Sequence, residues 1–295
     1  MASKIAPFKT EDHSITCCNG EADLFIRHYS RGTPKLHFFL VHGAIEHSGR
    51  HMDLVNFWLK KYNNVAVTIF DNIGHGRSGG TRAYVESFKH YVEDFIKVAE
   101  YVHSRNNEDT KTFICAHSLG GLIVLTRLLD ATYGYPFPLQ GLIFSSPCIR
   151  PQTVMAPVSL PLLQKLDKLT PKLHLPMIYR GKDLTRDPER ANDFDIDPLI
   201  PKYMSVRMAK EVIEASNKII GLSYYLRIPS LFLIAGTDRI VDPTSTLLFA
   251  HGIDKQLTKI VQYPHHHHEL WNEINRQEIF DTMKTWVDNE LKESP

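Results

Sequence analysis

Ser118 stands between small residues in the segment FICAHSLGGLIVL, residues 113–125. An apolar run of strand character ends at Ala116, and an apolar run of helical character begins directly after the serine. A turn between such a strand and helix holds a serine on a strained elbow, where its exposed hydroxyl can attack a carbonyl carbon. The usual pattern has glycine two residues before the serine, and Ala116 adds one methyl group there. We therefore predict that Ser118 is a catalytic nucleophile; a serine that only caps the helix, in an inactive protein, is the alternative.

Two other serines, Ser48 and Ser78, lie in glycine-bearing loops into which no strand runs directly. Serine is common in turns, so we expect a structural role for both. Ser78 belongs to FDNIGHGRSGG, residues 70–80, which lacks the G-x-x-x-x-G-K spacing of a phosphate-binding loop. We expect Asp71 and His75 to hold this loop by hydrogen bonds.

A nucleophilic serine needs a histidine that removes its proton and a carboxylate that orients the histidine. When the serine sits on a strand–turn–helix elbow, the acid and then the histidine follow it along the chain. The segment SLFLIAGTDRIVDPTST offers Asp238 and Asp242 after a strand pattern. Asp242 precedes Pro243 and a helical pattern, which is typical of a helix N-cap. Asp238 has no such structural explanation, so we predict that it is the catalytic acid.

Four consecutive histidines lie in YPHHHHELWNE, residues 263–273, directly after the final strand pattern at 259–263. An affinity tag normally occupies a terminus, yet an amphipathic helical pattern follows this run. A structural zinc ion needs ligands that converge tetrahedrally, and adjacent side chains in a loop point in different directions. At most two of the four could therefore bind one ion. We predict that one of them is the catalytic base, and the spacing leaves the choice open.

The negative charge that develops on the attacked carbonyl oxygen requires hydrogen-bond donors. One donor is the backbone N–H after the serine, here Leu119, and the second comes from the loop after an earlier strand. LHFFLVHGAIEHSGRH, residues 36–51, supplies that loop, and we predict the N–H of Ala44 as the second donor. Gly43 allows the backbone to turn closely. His42 could be taken for a catalytic base, but we expect it to brace this oxyanion loop.

Short apolar runs bounded by turn residues predict the strands that must position these groups. They lack strict alternation, as strands covered on both faces do, and they span residues 36–41, 65–70, 112–116, 139–146 and 230–236. Helical patterns accompany them at 50–62, 86–105, 119–133, 244–252 and 271–290. Within residues 13–29, two strand patterns flank Asn19-Gly20, which predicts a hairpin. The alternation predicts an α/β fold, with a mostly parallel central sheet flanked by helices.

Residues 148–226 interrupt this alternation. They hold eight of the 17 prolines and helical fragments such as SLPLLQKLDKL, without a convincing strand pattern. An insertion between two sheet strands lies at the carboxyl edge of the sheet, where α/β folds bind ligands. We predict a core formed by residues 1–147 and 227–295, with a mainly helical cap at 148–226. An ordinary second helical layer is the alternative.

The 295-residue chain is 43% hydrophobic and 23% charged, with a formal net charge of +1. This near-neutral charge gives no electrostatic reason to expect nucleic acid as a partner. The segment MASKIAPFKTEDHS contains no apolar signal core, and no apolar run is long enough to span a membrane. Four cysteines, including the adjacent Cys17 and Cys18, form no disulfide pattern. We therefore expect a cytoplasmic protein that can lie at the periphery of a membrane, with export lacking a signal as the alternative.

Five motifs together resemble the monoacylglycerol lipase and lysophospholipase family of α/β-hydrolases. In that family's order, and spanning nearly the whole chain outside the cap, they are VHGAIEHSGRH, DNIGHGRSGG, AHSLGG, AGTDRIVDP and HHHHELWNE. The resemblance implies the α/β-hydrolase fold with an inserted cap and a Ser-His-Asp triad. In that family the catalytic histidine directly precedes a Glu-Leu-like pair, which selects His268. His265, His266 and His267 fall where the family has small or variable residues, so we expect them at the loop surface or pocket rim.

The resemblance also implies that Glu46, Arg50 and His117 form a polar pocket for the glycerol end of the substrate. A loop-bracing ion pair between Glu46 and Arg50 is an equal alternative. Two residues depart from the family pattern at this pocket: Ile45 replaces a frequent glycine, and Trp271 stands where some relatives have a polar residue. Both departures bear on the identity of the head group.

The implied function is hydrolysis of the single acyl ester of a monoacylglycerol or lysophospholipid, with no metal or cofactor. Residues 184–199 resemble the part of the family's cap that shapes the acyl pocket. An apolar cap suits a fatty chain, because each buried methylene contributes about 0.8 kcal/mol. We also expect the apolar cap to make transient contact with a membrane surface. The alternatives are a carboxylesterase or perhydrolase acting on short-chain esters, and a non-catalytic lipid-binding homologue.

Overall fold

The structure is a computed structural model that describes residues 8–130, 137–152 and 158–293. Its strands are β1 (Lys9–Thr16), β2 (Asp23–Arg31), β3 (Leu36–Val41), β4 (Val65–Phe70), β5 (Lys111–His117), β6 (Gly141–Ser145), β7 (His174–Pro176), β8 (Tyr203–Ser205), β9 (Ser230–Ala235) and β10 (Thr258–Tyr263). Its α-helices are α1 (Met52–Lys61), α2 (Phe88–Ser104), α3 (Leu119–Leu129), α4 (Leu160–Leu169), α5 (Gly181–Leu184), α6 (Pro188–Ile196), α7 (Val206–Ile219), α8 (Pro243–His251) and α9 (Arg276–Glu293). Across the described residues, no helix combines the length and apolarity needed to cross a membrane.

Eight strands form one sheet in the order β1-β2-β4-β3-β5-β6-β9-β10. The pairs β1–β2 and β2–β4 are antiparallel, and every other neighbouring pair in this sheet is parallel. All residues of β3, β4, β6 and β9 are buried, as expected for strands covered on both faces. The predicted α/β class with a mostly parallel sheet is confirmed. The carboxyl ends of β5, β9 and β10 therefore meet at one edge of the sheet.

An apolar core lies on each face of the sheet. On one face, Phe38 of β3 stacks on Trp58 of α1 with ring centroids 4.0 Å apart. On the other face, Phe39 of β3 stacks on Phe95 of α2 at 5.6 Å. Full burial of such a side chain contributes roughly 1.5–3 kcal/mol, so these two layers hold the sheet edge in place.

The predicted parallel strands all occur, with ends within two residues of the prediction. The predicted helix 50–62 is a 3-10 turn at Ser48–His51 followed by α1, and 271–290 is a 3-10 turn at Leu270–Asn272 followed by α9. Helix α3 ends at Leu129 rather than residue 133, and residues 131–136 lie outside the described part. The predicted hairpin is formed by β1 and β2, with Gly20 at φ 75° in the turn between them.

Residues 148–226 contain helices α4 to α7 and also two strands that the sequence did not indicate. Strands β7 and β8 pair antiparallel as a separate small sheet. Three-residue strands are too short to show a two-residue periodicity, and the proline that ends β7 disfavours a strand. Helix α7 packs against α4 and also against α2 and α3 of the main layer. Residues 153–157 lie outside the described part, and the division into core and cap stays a prediction.

Candidate active site

Ser118 lies at a strained turn between β5 and α3. Its backbone adopts φ 49° and ψ −116°, a conformation that is costly for any residue with a Cβ. The turn is secured on both sides, because the Ser118 N–H donates to the Ser145 carbonyl (3.1 Å) and the Cys148 N–H donates to the Ser118 carbonyl (2.9 Å). Gly120 lets α3 approach β3, since a Cβ there would stand 2.3 Å from the Val41 carbonyl oxygen. The structure thus has an elbow at Ser118.

Asp238 and His268 form a buried pair above the ends of β9 and β10. The His268 Nδ1–H donates to Asp238 Oδ2 over 2.6 Å, and both side chains are under 5% exposed. The other carboxylate oxygen of Asp238 accepts the N–H groups of Ile240 (2.8 Å) and Val241 (3.0 Å), which fixes the carboxylate. Asp242 caps helix α8 instead, accepting the N–H groups of the second and third helical residues. Asp242 is therefore the predicted helix N-cap, and the role of Asp238 as the catalytic acid stays a prediction.

Two opposing effects set the pKa of His268. Burial disfavours the imidazolium and by itself lowers the pKa, but the Asp238 carboxylate outweighs it through its charge and hydrogen bond. The pKa of His268 therefore lies above the usual 6.5, and Glu269 and Glu46 act in the same direction. Burial and the nearby His268 hold the pKa of His117 well below its usual value, with the two ring centroids 4.8 Å apart. His117 is thus neutral when His268 titrates.

The four histidines have different surroundings. His265 is exposed, and the half-buried His267 has its N–H bound to Glu273 Oε1 (2.8 Å). His266 corrects our expectation of a surface or rim position: it is 8% exposed, and its Nε2–H donates to Asn275 Oδ1 over 2.7 Å. Of the four, His268 is the one that meets a carboxylate through its ring and lines the cavity at Ser118.

The predicted oxyanion loop lies directly beside Ser118. A Cβ on Gly43 would stand 3.0 Å from Ser118 Cβ, so a larger residue would push the loop away from the serine. Ala44 lines the same cavity as Ser118. Leu119 is the first residue of α3, where the N–H has no acceptor within the helix and is free to bind an oxyanion. His42 braces the loop as expected, donating from Nδ1–H to the Gly43 carbonyl over 2.7 Å.

The loop after β4 also behaves as a structural element. The Asp71 carboxylate accepts the N–H groups of Ser48 and Arg77, both at 2.8 Å. The Ser78 hydroxyl donates to the Asp71 carbonyl over 2.5 Å, and His75 Nδ1–H donates to the Ile73 carbonyl over 3.0 Å. Both rival serines are therefore part of turn hydrogen bonding.

Glu46 is at the centre of a buried polar cluster. Its Oε1 accepts the Gly43 N–H over 2.5 Å, and its Oε2 lies 3.2 Å from His51 Nε2 and 3.6 Å from Arg50 Nε. Burial raises the pKa of Glu46, but the charge and hydrogen bond of His51 outweigh it, and the pKa lies well below the usual range. Arg50 Nη2 donates to Glu269 Oε2 over 2.5 Å. The loop-bracing interaction exists, and Glu46 also lines the cavity at Ser118.

Sequence reasoning missed two members of this cluster, His51 and Glu269. Both are buried, and each holds one of the charged residues that the resemblance had singled out. Glu269 could have been identified from its position directly after the predicted base, because a carboxylate there raises the pKa of the imidazole. His51 carried no local signal, because its contact with Glu46 depends on how the 3-10 turn at Ser48–His51 folds back.

Side chains from residues 148–226 close over Ser118. The cavity is walled on this side by Tyr179, Leu184 and Phe194 and has a volume of about 10 Å³, close to that of a single water-sized sphere. The Glu269 N–H donates to the Leu184 carbonyl over 2.8 Å, which joins this wall to the loop that carries His268. The space beside Ser118 is therefore narrow, and residues 148–226 form one of its walls.

Comparison with known proteins gives a family and several relatives. A family model described as "Serine aminopeptidase, S33" matches residues 32–275. Monoglyceride lipase of Homo sapiens is 29% identical over 274 residues, 90% of this chain and 86% of that protein. Phospholipase YtpA of Bacillus subtilis is 25% identical over 251 residues, 84% of this chain and 93% of that protein. Two other curated relatives are longer, and the chain spans 46% of one and 27% of the other.

The fold is shared with solved lipases. The crystal structure of a soluble variant of monoglyceride lipase from Saccharomyces cerevisiae has a TM-score of 0.83 to this chain, with 19% sequence identity and 98% of each chain covered. Together with the family match, this likeness confirms the predicted α/β-hydrolase fold.

Proposed function

This chain belongs to the serine aminopeptidase S33 family, and on that premise we propose that it hydrolyses the acyl ester of monoacylglycerols. It is a serine hydrolase with the α/β-hydrolase fold, and carboxylic ester hydrolase is the enzyme class that the family and its lipase relatives indicate. One observation carries the proposal: the strained Ser118 lines the same cavity as His268, whose ring hydrogen-bonds the buried Asp238.

Each step of the proposed ester hydrolysis is assigned to one side chain or backbone group near Ser118. The Ser118 hydroxyl attacks the ester carbonyl while His268 Nε2 takes its proton, and Asp238 holds the other nitrogen and stabilises the imidazolium. The N–H groups of Leu119 and Ala44 receive the oxyanion, and each such donor contributes about 3–4 kcal/mol to transition-state stabilisation. Glycerol leaves with the proton from His268. Water, activated by the same imidazole, then releases the fatty acid from Ser118.

The charges around the cavity favour a neutral head group. Two buried carboxylates, Glu46 and Glu269, line its polar side, and Arg50 already contacts both of them. A phosphate group placed there would meet these carboxylates at close range, where like charges repel strongly. A glycerol head group can instead donate hydroxyl hydrogen bonds to them. We therefore rank a monoacylglycerol above a lysophospholipid as the substrate.

The apolar side of the cavity suits an acyl chain. Tyr179, Leu184, Phe194 and Ile240 line it, and the first three come from the predicted cap. Large apolar side chains are exposed on the outside of the same segment, Leu169 at 80% and Ile196 at 68%. We propose that these side chains make transient contact with a lipid surface, because exposed apolar side chains favour an apolar environment.

A substrate panel tests this proposal on the purified chain. We expect the highest kcat/KM for a long-chain monoacylglycerol, a lower value for the lysophospholipid with the same acyl chain, and a lower one still for a short p-nitrophenyl ester. Higher kcat/KM for the short ester would support the carboxylesterase alternative. The panel also includes an aminoacyl p-nitroanilide, because the family description names an aminopeptidase. Hydrolysis of that amide with no ester turnover would overturn the proposal.

A further inference from the structure

A second group of reactive side chains lies between helix α2 and the turn that joins β1 to β2. The Sγ of Cys18, a ring nitrogen of His90 and a carboxylate oxygen of Glu93 all lie within 4.8 Å of one another, and the three residues are half-buried. Thiolate, imidazole and carboxylate are the three side-chain groups that bind zinc in proteins. The proposed ester hydrolysis uses none of these residues.

The backbone fixes this arrangement. His90 and Glu93 are three residues apart on α2, so their side chains lie on one side of the helix. The Cys18 N–H donates to Asp94 Oδ1 over 2.6 Å, and the Cys18 Sγ lies 3.7 Å from the His90 carbonyl oxygen. The turn is therefore held against the first two turns of the helix. Side-chain rotation would have to bring these three ligand atoms closer together for them to surround one zinc ion.

Asp94 adds an independent observation. It is 0% exposed, and its Oδ2 has no hydrogen-bond partner among the described residues. A buried carboxylate oxygen without a partner is destabilising, and a cation would compensate for it. The Asp94 carboxylate accepts the Cys18 N–H, and a carboxylate oxygen of Glu93 lies within 4.8 Å of the Cys18 Sγ. Negative charge thus converges where the sulfur lies.

Two lysine side chains, Lys89 and Lys97, lie near these three residues. Lys89 Nζ lies 3.0 Å from Glu93 Oε1, but the Lys89 side chain is 69% exposed, and such surface ion pairs are weak. Lys97 Nζ donates to the carbonyl oxygens of Thr16 and Cys17, on the backbone beside Cys18. Glu93 can therefore turn towards the thiol at small cost.

We propose that Cys18, His90 and Glu93 bind a zinc ion, with a water molecule as the fourth ligand. Zinc takes four such ligands tetrahedrally at about 2.0–2.3 Å, and a sulfur ligand disfavours calcium and magnesium. On binding, zinc replaces the thiol proton, which is released to solvent, and no oxidation or reduction takes place. The ion ties the β1–β2 turn to α2 and has a structural role. The proposal does not depend on the hydrolytic activity.

Cobalt(II) is the probe for the experiment. The full-length chain is stripped with a chelator, kept reduced with a phosphine and titrated with Co²⁺. We expect a near-ultraviolet thiolate-to-cobalt charge-transfer band that saturates at one equivalent and disappears when Zn²⁺ is added. The histidine run at 265–268 can also bind cobalt, but its ligands are nitrogens and give no such band. The band therefore reports a cysteine ligand specifically.

Matched variants assign the band. Cys18→Ser should abolish it, whereas Cys17→Ser should retain it, because the Cys17 Sγ donates to Asn19 Oδ1 at 2.9 Å. His90→Ala, on a half-buried helix position, should weaken cobalt binding at least tenfold and remove the rise in melting temperature that Zn²⁺ gives to the unmodified chain. Absence of the band in the unmodified chain would overturn the proposal. So would a band that survives Cys18→Ser, or unchanged affinity in His90→Ala.

Discussion

Ser118 is the residue at which the proposed chemistry can be tested most directly. Ser118→Ala should lower kcat/KM for a model ester by at least about a thousandfold, because the attacking oxygen is removed. The melting temperature should change little, since the backbone bonds of the elbow to Ser145 and Cys148 stay in place. Ser48→Ala is the control, because the loop contact of Ser48 uses its backbone N–H. Comparable losses in the two variants would mean that the wrong serine was chosen.

The histidine run offers a comparison within four consecutive residues. His268→Ala should reduce kcat/KM about as severely as Ser118→Ala, because it removes the proposed base and leaves Asp238 without its partner. His265→Ala should be nearly silent, since His265 is exposed. Steady-state kinetics on the two variants gives the ranking, and the reverse order would exclude His268 as the base.

The pH dependence of the rate follows from the surroundings of His268. The base must be neutral to accept the serine proton, and its pKa is raised above 6.5 by Asp238, Glu269 and Glu46 against the effect of burial. The rate should therefore rise with pH, with a midpoint above 6.5. Glu46→Gln removes one negative charge and should move that midpoint to lower pH. A profile of kcat/KM for a short ester between pH 5 and 9 measures both values, and a midpoint below 6.5 in the unmodified chain would contradict this account.

At the scale of elements, the close approach of α3 to β3 positions the elbow. Gly120→Ala would place a methyl carbon 2.3 Å from the Val41 carbonyl oxygen, so the helix must shift. Overpacking of this kind typically costs about 1–3 kcal/mol. We expect a lower melting temperature together with at least a tenfold loss of kcat, although every proposed catalytic side chain is kept. Thr126→Ala, on the same helix at a half-buried position, is the control, and equal effects in both variants would contradict this interpretation.

The elements were predictable where local patterns suffice. Largely apolar runs predicted β3 and β4 to the residue, because strands covered on both faces are apolar at most positions; His37 and Thr68 are the polar exceptions, and they hydrogen-bond each other. Strands β7 and β8 were missed, since a three-residue strand has no pattern of its own. The burial of His266 was also missed, because its partner Asn275 is brought to it only by the fold of the following turn. A single sequence does not show which distant segments of the chain come into contact.

Across the whole molecule, the parallel sheet explains how residues that are distant in sequence come to lie at one edge of the sheet. Ser118, Asp238 and His268 follow β5, β9 and β10, whose carboxyl ends lie at the same edge. The order of the segments along the chain was readable from motifs, and so the candidate triad could be named from sequence. The wall over Ser118 could not be predicted from the sequence, because it depends on the placement of residues 148–226.

The sheet also buries histidines that take no part in the proposed reaction, and these should govern stability in acid. Burial lowers the pKa of His37 to about 3 and that of His28 to about 4, and both rings hydrogen-bond Thr68 Oγ1. Unfolded histidines have a pKa near 6.5, so between pH 6.5 and about 4 the unfolded chain binds more protons than the folded one. Stability that is fully present above pH 6.5 is therefore lost as the pH falls, by about 1.4 kcal/mol per pH unit for each such ring.

Urea unfolding at pH 7.5, 6.0 and 5.0 measures this loss as a falling free energy of unfolding. His37→Gln should be less stable at neutral pH, because it loses the hydrogen bonds to Thr68 and Asn106. Its stability should nevertheless fall less steeply with acid, since one buried titrating ring is gone. His265→Gln, at an exposed position, should keep the slope of the unmodified chain. An unchanged slope in His37→Gln would show that this ring is already charged, or open to water, in the folded protein.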